Sequence, residues 1–222
     1  MTEDGVGADW RWTMLAAAVG LAVSAVSTMV LGLERRAFVA VWTAAVSLLW
    51  AAYARRRHVH LRVQLARHRP AGLVVGAGIG ALLAWTVVRQ PASTAPTGLG
   101  LVADLLWLGV VYGTADALVL AVLPVLALYG TRPADSMRTA GGRLRGAAAA
   151  LAGSALITAA YHLGFREFQG AQVVLPVLGG LLTTAAYLFS GSAAAPILAH
   201  VAMHVAAVLH GAATTVQLPP HY

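Results

Sequence analysis

The sequence contains no cysteine and no lysine, and only eight acidic residues in 222. Without cysteine there is no disulfide framework, no thiolate nucleophile and no cysteine-ligated zinc or iron–sulfur centre. Charge of either sign is scarce. Asp, Glu, Lys and Arg make up 10% of the chain, whereas a soluble surface carries roughly 25–35%, and this excludes an ordinary soluble domain. The formal charge of +7 comes from arginines that cluster in two loops between apolar runs, so it does not point to a nucleic-acid partner. What the chain has instead is hydrocarbon. It is 59% hydrophobic, with runs long enough to cross a bilayer core of about 30 Å. The composition therefore predicts a single integral membrane domain over residues 1–222, with the lipid bilayer as its first partner.

Windows of about 20 apolar residues predict seven helices, near Thr13–Leu33, Ala37–Ala54, Ala71–Val88, Leu99–Tyr129, Gly146–Gly164, Gln172–Phe189 and Ala195–Gly211. The fold class is all-α, a polytopic transmembrane helix bundle of about seven spans. The fourth segment is too long for a simple crossing at about 1.5 Å per residue. It must tilt, protrude or break, and Gly113 and Pro124 are the expected break points. The acidic "MTEDGVGADW" lacks the basic start of a signal peptide, so the first apolar segment is expected to be retained. With an inside N-terminus, eleven arginines fall on inside segments and four (Arg35, Arg36, Arg89 and Arg166) on outside ones. That asymmetry predicts a protein of the cell membrane with a cytoplasmic N-terminus and an outside Tyr222. "RRRHVHLRVQLARHRP" then faces anionic headgroups with its histidines in water. "RQPASTAPTG" and "TRPADSMRTAGGRLRG" read as polar loops. Gly76, Gly78 and Gly80 suit close helix packing.

Ionisable groups inside spans are expensive and mark candidate functional positions. They are Asp104 and Asp116 in the fourth segment, His162 late in the fifth, and His200, His204 and His210 in "APILAHVAMHVAAVLHG". His200 and His204, four residues apart, share a helical face. His210 lies on another face near the helix end and reads as interfacial. Asp104 lies towards the outer end and reads as reaching interfacial water. Asp116, one turn beyond Tyr112, needs a cation, a proton or several donors, and imidazoles from neighbouring helices are the expected partners. A single buried histidine is accounted for by interhelical hydrogen bonding. Several histidines with an isolated carboxylate point to a polar cavity.

The second half of the chain, Leu99 to Gly211, resembles the CPBP family of CAAX-processing and bacteriocin-processing intramembrane proteases. "GSAAAPILAHVAMHVAAVL" is similar to the third motif of that family, in which small residues and a proline precede a histidine and, four residues on, an Asn or similar residue. "LITAAYHLGF" is similar to the second, Phe-x-x-x-His, with Thr158 at the Phe position and His162 as the histidine. "YGTADALVLAVLPV" stands in the place of the first, Glu-Glu-x-x-x-Arg. In one register Ala115, Asp116 and Leu120 take the two acids and the arginine. In the other, Asp116, Ala117 and Ala121 do. The resemblance implies hydrolysis of a peptide bond of a membrane-anchored peptide or protein, by an acid-activated water assisted by histidines.

The chemistry of such a site can be stated on its own terms. A base must hold a water near the scissile carbonyl, and donors must face the developing oxyanion. Asp116 is the candidate base, His162 shares the water, and His200 with His204 supply donors. Three imidazoles and a carboxylate also satisfy a zinc site with an open position. Asp is one methylene shorter than Glu, and a misplacement of about 1 Å can cost roughly 10²-fold. The expected function is an intramembrane endopeptidase with a divergent, weakened site. The alternative is a non-catalytic scaffold or binding protein that retains the fold. One conflict concerns depth. Simple spans put His162 near the outer boundary and His200 about 7 Å from the inner one, so they meet only if helices tilt or if "SGSAAAP" dips into the membrane.

Overall fold

The computed structural model describes residues 9–130 and 134–221, and these are helical with no strand. The helices are α1 (Trp10–Val30), α2 (Arg35–Arg57), α3 (Leu61–Ala66), α4 (Arg69–Val88), α5 (Gly98–Tyr129), α6 (Ala134–Arg138), α7 (Ala140–Leu163), α8 (Gly170–Ser190) and α9 (Ala194–His210). Six of them are long and apolar enough to cross a membrane, and α9 is a shorter apolar helix of 17 residues. This is the architecture of an integral membrane protein.

Contacts between distant segments define two ends of the bundle. At one end His210 Nε2 donates to Gln90 O (2.8 Å), Arg35 Nε donates to Leu218 O (2.5 Å), and Thr28 Oγ1 donates to Gly164 O (3.0 Å). The α1–α2, α4–α5 and α7–α8 connections and the segment after α9 therefore lie together. At the other end Asp9 N donates to Ala127 O (3.1 Å), Arg57 pairs with Asp9 (3.7 Å), and Ala193 N donates to Gln64 O (3.2 Å). Seven alternating passes require this grouping. The position of Tyr222 falls outside the described residues.

Helix α5 differs from the expected break. It runs for 32 residues without interruption, and neither Gly113 nor Pro124 ends it. Proline removes one N–H from the ladder and clashes with the preceding turn. Here wider π-helical turns flank it, over Leu118–Val122 and Val125–Tyr129, and a third covers Leu105–Val111. Gly113 is a packing position instead, since a Cβ there would lie 3.0 Å from Val201 Cα.

The basic loop is also more ordered than a plain connection. Helix α2 continues to Arg57, α3 follows, and α4 starts at Arg69, with Pro70 in its first turn, where a missing N–H costs nothing. His58 (φ 53°) and His68 (φ 46°) take the left-handed turns at the two junctions, a conformation that histidine tolerates better than most residues. All three histidines of this stretch are exposed. In the other polar loop, Thr139 Oγ1 accepts from Gly142 N (3.0 Å). That N-cap starts α7 at Ala140, six residues before the expected span.

Helix α9 is held between two glycine faces. Gly72, Gly76 and Gly80 of α4 touch it on one side, where added Cβ atoms would lie 2.6–2.9 Å from the nearest atoms of Ser192, Ala195 and Ala202. Gly109 and Gly113 of α5 touch its other side, at Val205 and Val201. Small residues let backbones approach, and in lipid close packing replaces the hydrophobic effect as the driving force between helices. Gly78 has open space around it and takes no part. An aromatic core joins α2, α5 and α7. Trp42 stacks on Tyr161 (4.5 Å, 23°), and Phe38 meets Phe165 and Tyr112 edge-on, each pair contributing about 0.5–1.5 kcal/mol beyond its buried area.

Candidate functional site

Asp116, His162, His200 and His204 line one cavity of about 350 Å³. The cavity itself answers the depth conflict, since His162 and His200 both line it although simple spans put them near opposite boundaries. The α8–α9 turn also contributes. Ser192 and Ala193 are buried, with Ala193 N held by Gln64 O beneath α3, so α9 starts inside the protein.

Asp116 is 5% exposed, and both of its carboxyl oxygens are engaged. Trp42 Nε1 donates to Oδ1 at 2.7 Å, a short bond for a nitrogen donor. His204 Nε2 faces Oδ2 at 3.4 Å. Tyr112 presents its ring to the edge of His204 (4.7 Å, 83°), and its hydroxyl meets that of Tyr161 at 2.6 Å. Trp42 is the partner that sequence reasoning missed. The available signal was the rule that a buried indole N–H finds an acceptor, applied to a tryptophan within an apolar span.

The imidazole tautomers follow from what each Nδ1 meets. Nδ1 of His162 lies 2.8 Å from Thr158 O, that of His200 lies 3.1 Å from Pro196 O, and that of His204 lies 3.2 Å from Leu108 O. A carbonyl oxygen only accepts, so each Nδ1 carries a hydrogen, and Nε2 of the neutral ring is an acceptor. At His204 that acceptor faces a carboxyl oxygen, and two lone pairs repel. A proton placed between Nε2 and Oδ2 would join them, as imidazolium with carboxylate or as imidazole with carboxylic acid. Nε2 of His162 and His200 has no hydrogen-bond partner among the described residues. In that tautomer these atoms are free to accept a hydrogen from a molecule bound in the cavity. Thr158 Oγ1 is buried without a partner, and Thr158 lines the same cavity. It is the available neutral donor.

The zinc arrangement does not fit. Among the described residues no group of three or more His, Asp or Glu side chains is placed to hold a metal ion. The geometry gives the reason, because every Nδ1 is bound to a carbonyl and His204 Nε2 is directed at Asp116. The other candidates lie elsewhere. Asp104 forms a two-pronged ion pair with Arg36, 2.9 Å at each contact, and His210 bonds Gln90 at the α4–α5 connection. Ala115, one of the two positions at which the resemblance would put an acid, is buried in the main apolar cluster. Leu120, four residues after Asp116, lines the cavity.

The cavity is lined on one side by Leu82 of α4 and by Leu175 and Leu178 of α8, each about half exposed. It is therefore bordered by side chains that face lipid. The segment after α9 borders its end through Gln217 and Pro219. Pro219 O accepts from Tyr112 Oη (3.2 Å), and Gln90 Nε2 donates to Gln217 Oε1 (2.9 Å). No protein-family model matches the chain, and neither the curated proteins nor the solved structures contain a match.

Proposed function

We propose that the cavity binds a membrane-anchored peptide and hydrolyses a peptide bond in it, in the manner of the CPBP proteases that the second half of the chain resembles. The observation that carries this reading is that four ionisable residues of three separate apolar helices, Asp116, His162, His200 and His204, border one cavity. In this mechanism a water donates a hydrogen to Nε2 of His162 or His200 and attacks the carbonyl carbon. The proton taken up by imidazole passes to the leaving nitrogen as the C–N bond breaks, giving a carboxylate and an amine. Thr158 Oγ1 supplies a hydrogen bond to the developing oxyanion. The Asp116–His204 pair holds a proton beside the reacting groups, and Trp42 fixes the carboxyl orientation.

The test is cleavage of a quenched, lipid-anchored peptide by the purified chain in nanodiscs. His200→Gln and His162→Gln are each expected to lower turnover by roughly 10²–10⁴-fold, the range for loss of a general base, and Asp116→Asn is expected to lower it as well. Unchanged turnover in all three overturns the reading. A second reading, a non-catalytic binding protein of the same fold, is favoured by the engagement of both Asp116 oxygens and by Leu120 in the cavity wall. It predicts binding of the same peptide with no cleavage, and Asp116→Glu would not create any. The arginine-rich end is proposed to face the cytoplasm. Reporters inserted at Gln64 and Thr139 should give the cytoplasmic signal, and one at Ser93 the opposite signal.

A further inference from the structure

A second concave surface lies on a different face of α9 from the histidines. It is a groove of about 560 Å³ between α3, α4, α5 and α9, and it shares no lining residue with the first cavity. At its mouth are Arg62 and Arg69, both exposed. Neither makes an ion pair or hydrogen bond with any described residue. From there the groove runs along the first two turns of α9, past Leu73 of α4 and Leu198 of α9, to Val201 and Val110. That is about 10 Å of apolar track.

We propose that this groove binds an anionic phospholipid of the bilayer, with the phosphate on Arg62 and Arg69 and one acyl chain along Leu73, Leu198 and Val201. The charge and the track each select part of this ligand. Two uncompensated guanidiniums form planar, multi-donor phosphate partners, and a basic pocket at the membrane surface between helices takes an anionic headgroup. A free phosphate would use the arginines and leave the track empty, while a zwitterionic lipid would use the track and bring its own cation to the arginines. The proposal concerns binding alone and holds whether or not the histidine cavity is catalytic. Its consequence for that cavity is mechanical, because the bound chain would support the face of α9 that adjoins the one carrying His200 and His204.

The experiment is native mass spectrometry of the purified, delipidated full chain, titrated with phosphatidylglycerol and with phosphatidylcholine. Phosphatidylglycerol is expected to bind preferentially, and Arg62→Gln with Arg69→Gln should lower its affinity roughly thirty-fold, the combined attraction of two arginines for an anionic surface. Both positions are exposed, so folding should be unaffected. Leu73→Trp, at a position 44% exposed, blocks the track and should lower the affinity with both arginines intact. Arg138→Gln with Arg143→Gln, at the same end of the bundle, should leave it unchanged. The proposal is overturned if the two lipids bind equally or if the control pair lowers binding as much as Arg62 and Arg69. It is overturned too if glycerophosphate binds as well as the whole lipid, which would make this a site for free phosphate.

Discussion

Replacing Gly76 by alanine sets two effects of opposite sign against each other. Alanine in a helix interior gains about 0.5–1 kcal/mol over glycine through reduced backbone entropy. At Gly76, however, the new Cβ would lie 2.7 Å from Ala195 O, 3.0 Å from Ala195 Cα and 3.1 Å from Leu198 Cβ. Two of those atoms are backbone and cannot rotate away, so α4 and α9 must separate. Overpacking of this kind costs about 1–3 kcal/mol and outweighs the propensity gain. At Gly78, two residues on, nothing lies within 4 Å of the added Cβ, so the whole gain is retained. Gly76→Ala should therefore melt below the parent and Gly78→Ala at or above it, by about 2–4 °C per kcal/mol for a chain of this size. The assay is thermal unfolding of both variants in one detergent. A Gly76→Ala protein as stable as Gly78→Ala would refute the close approach of α4 to α9. Because α9 carries His200 and His204, Gly76→Ala should also perturb the cavity, and under the proposed hydrolysis a displacement of about 1 Å there would lower the rate roughly 10²-fold.

Asp116→Asn should fold normally, since the amide oxygen still accepts from Trp42 and the amide nitrogen donates to His204 Nε2. Asp116→Ala leaves Trp42 Nε1 without an acceptor and should cost about 1–3 kcal/mol, read by denaturation in mixed micelles. The Arg36–Asp104 pair is asymmetric, with side chains 59% and 9% exposed. Arg36→Ala strands a buried carboxylate and should cost about 1–3 kcal/mol, whereas Asp104→Ala leaves a solvated arginine and should cost about 1 kcal/mol or less. Equal costs would contradict this burial. Burial, with Arg35 nearby, holds His221 below the ordinary histidine value. Its contribution to stability is therefore present above the unfolded value of about 6.5 and is lost as pH falls below that value. The segment after α9 should loosen on acidification, and His221→Gln should flatten the pH dependence of its proteolysis.

Much of the fold was legible because hydrophobic length and arginine placement are properties of single segments. Each of the seven apolar runs is a helix, six of them long enough to cross a membrane, and the grouping of their ends is the one that alternating passes require. What the sequence hid were relations between segments. Gly76, Gly78 and Gly80 look alike as a small-residue run, yet the four-residue period that faces α9 selects Gly72, Gly76 and Gly80 and turns Gly78 away. Proline in α5 suggested a break because its effect was considered on one helix alone. In the bundle, wide turns on either side absorb it while neighbouring helices hold the chain straight. The packing that brings His162 of α7 and His200 of α9 to one cavity is a relation between helices that no hydropathy window contains.

The candidate site was half legible for a related reason. Rarity identified Asp116, His162, His200 and His204, since an ionisable group in hydrocarbon stands out by its cost. Their chemistry depended on partners that are neither rare nor ionisable. Trp42, 74 residues from Asp116, supplies a neutral donor to the carboxyl, and three backbone carbonyls decide which nitrogen of each imidazole carries hydrogen. Thr158 O and Pro196 O lie one turn before their own histidines, so those two tautomers follow from local helical geometry. Leu108 O is 96 residues from His204, and only the packing of α9 on the widened turn of α5 brings it there. That single remote contact sets His204 apart from His162 and His200, because its Nε2 faces Asp116, a distinction that their spacing along the chain does not contain.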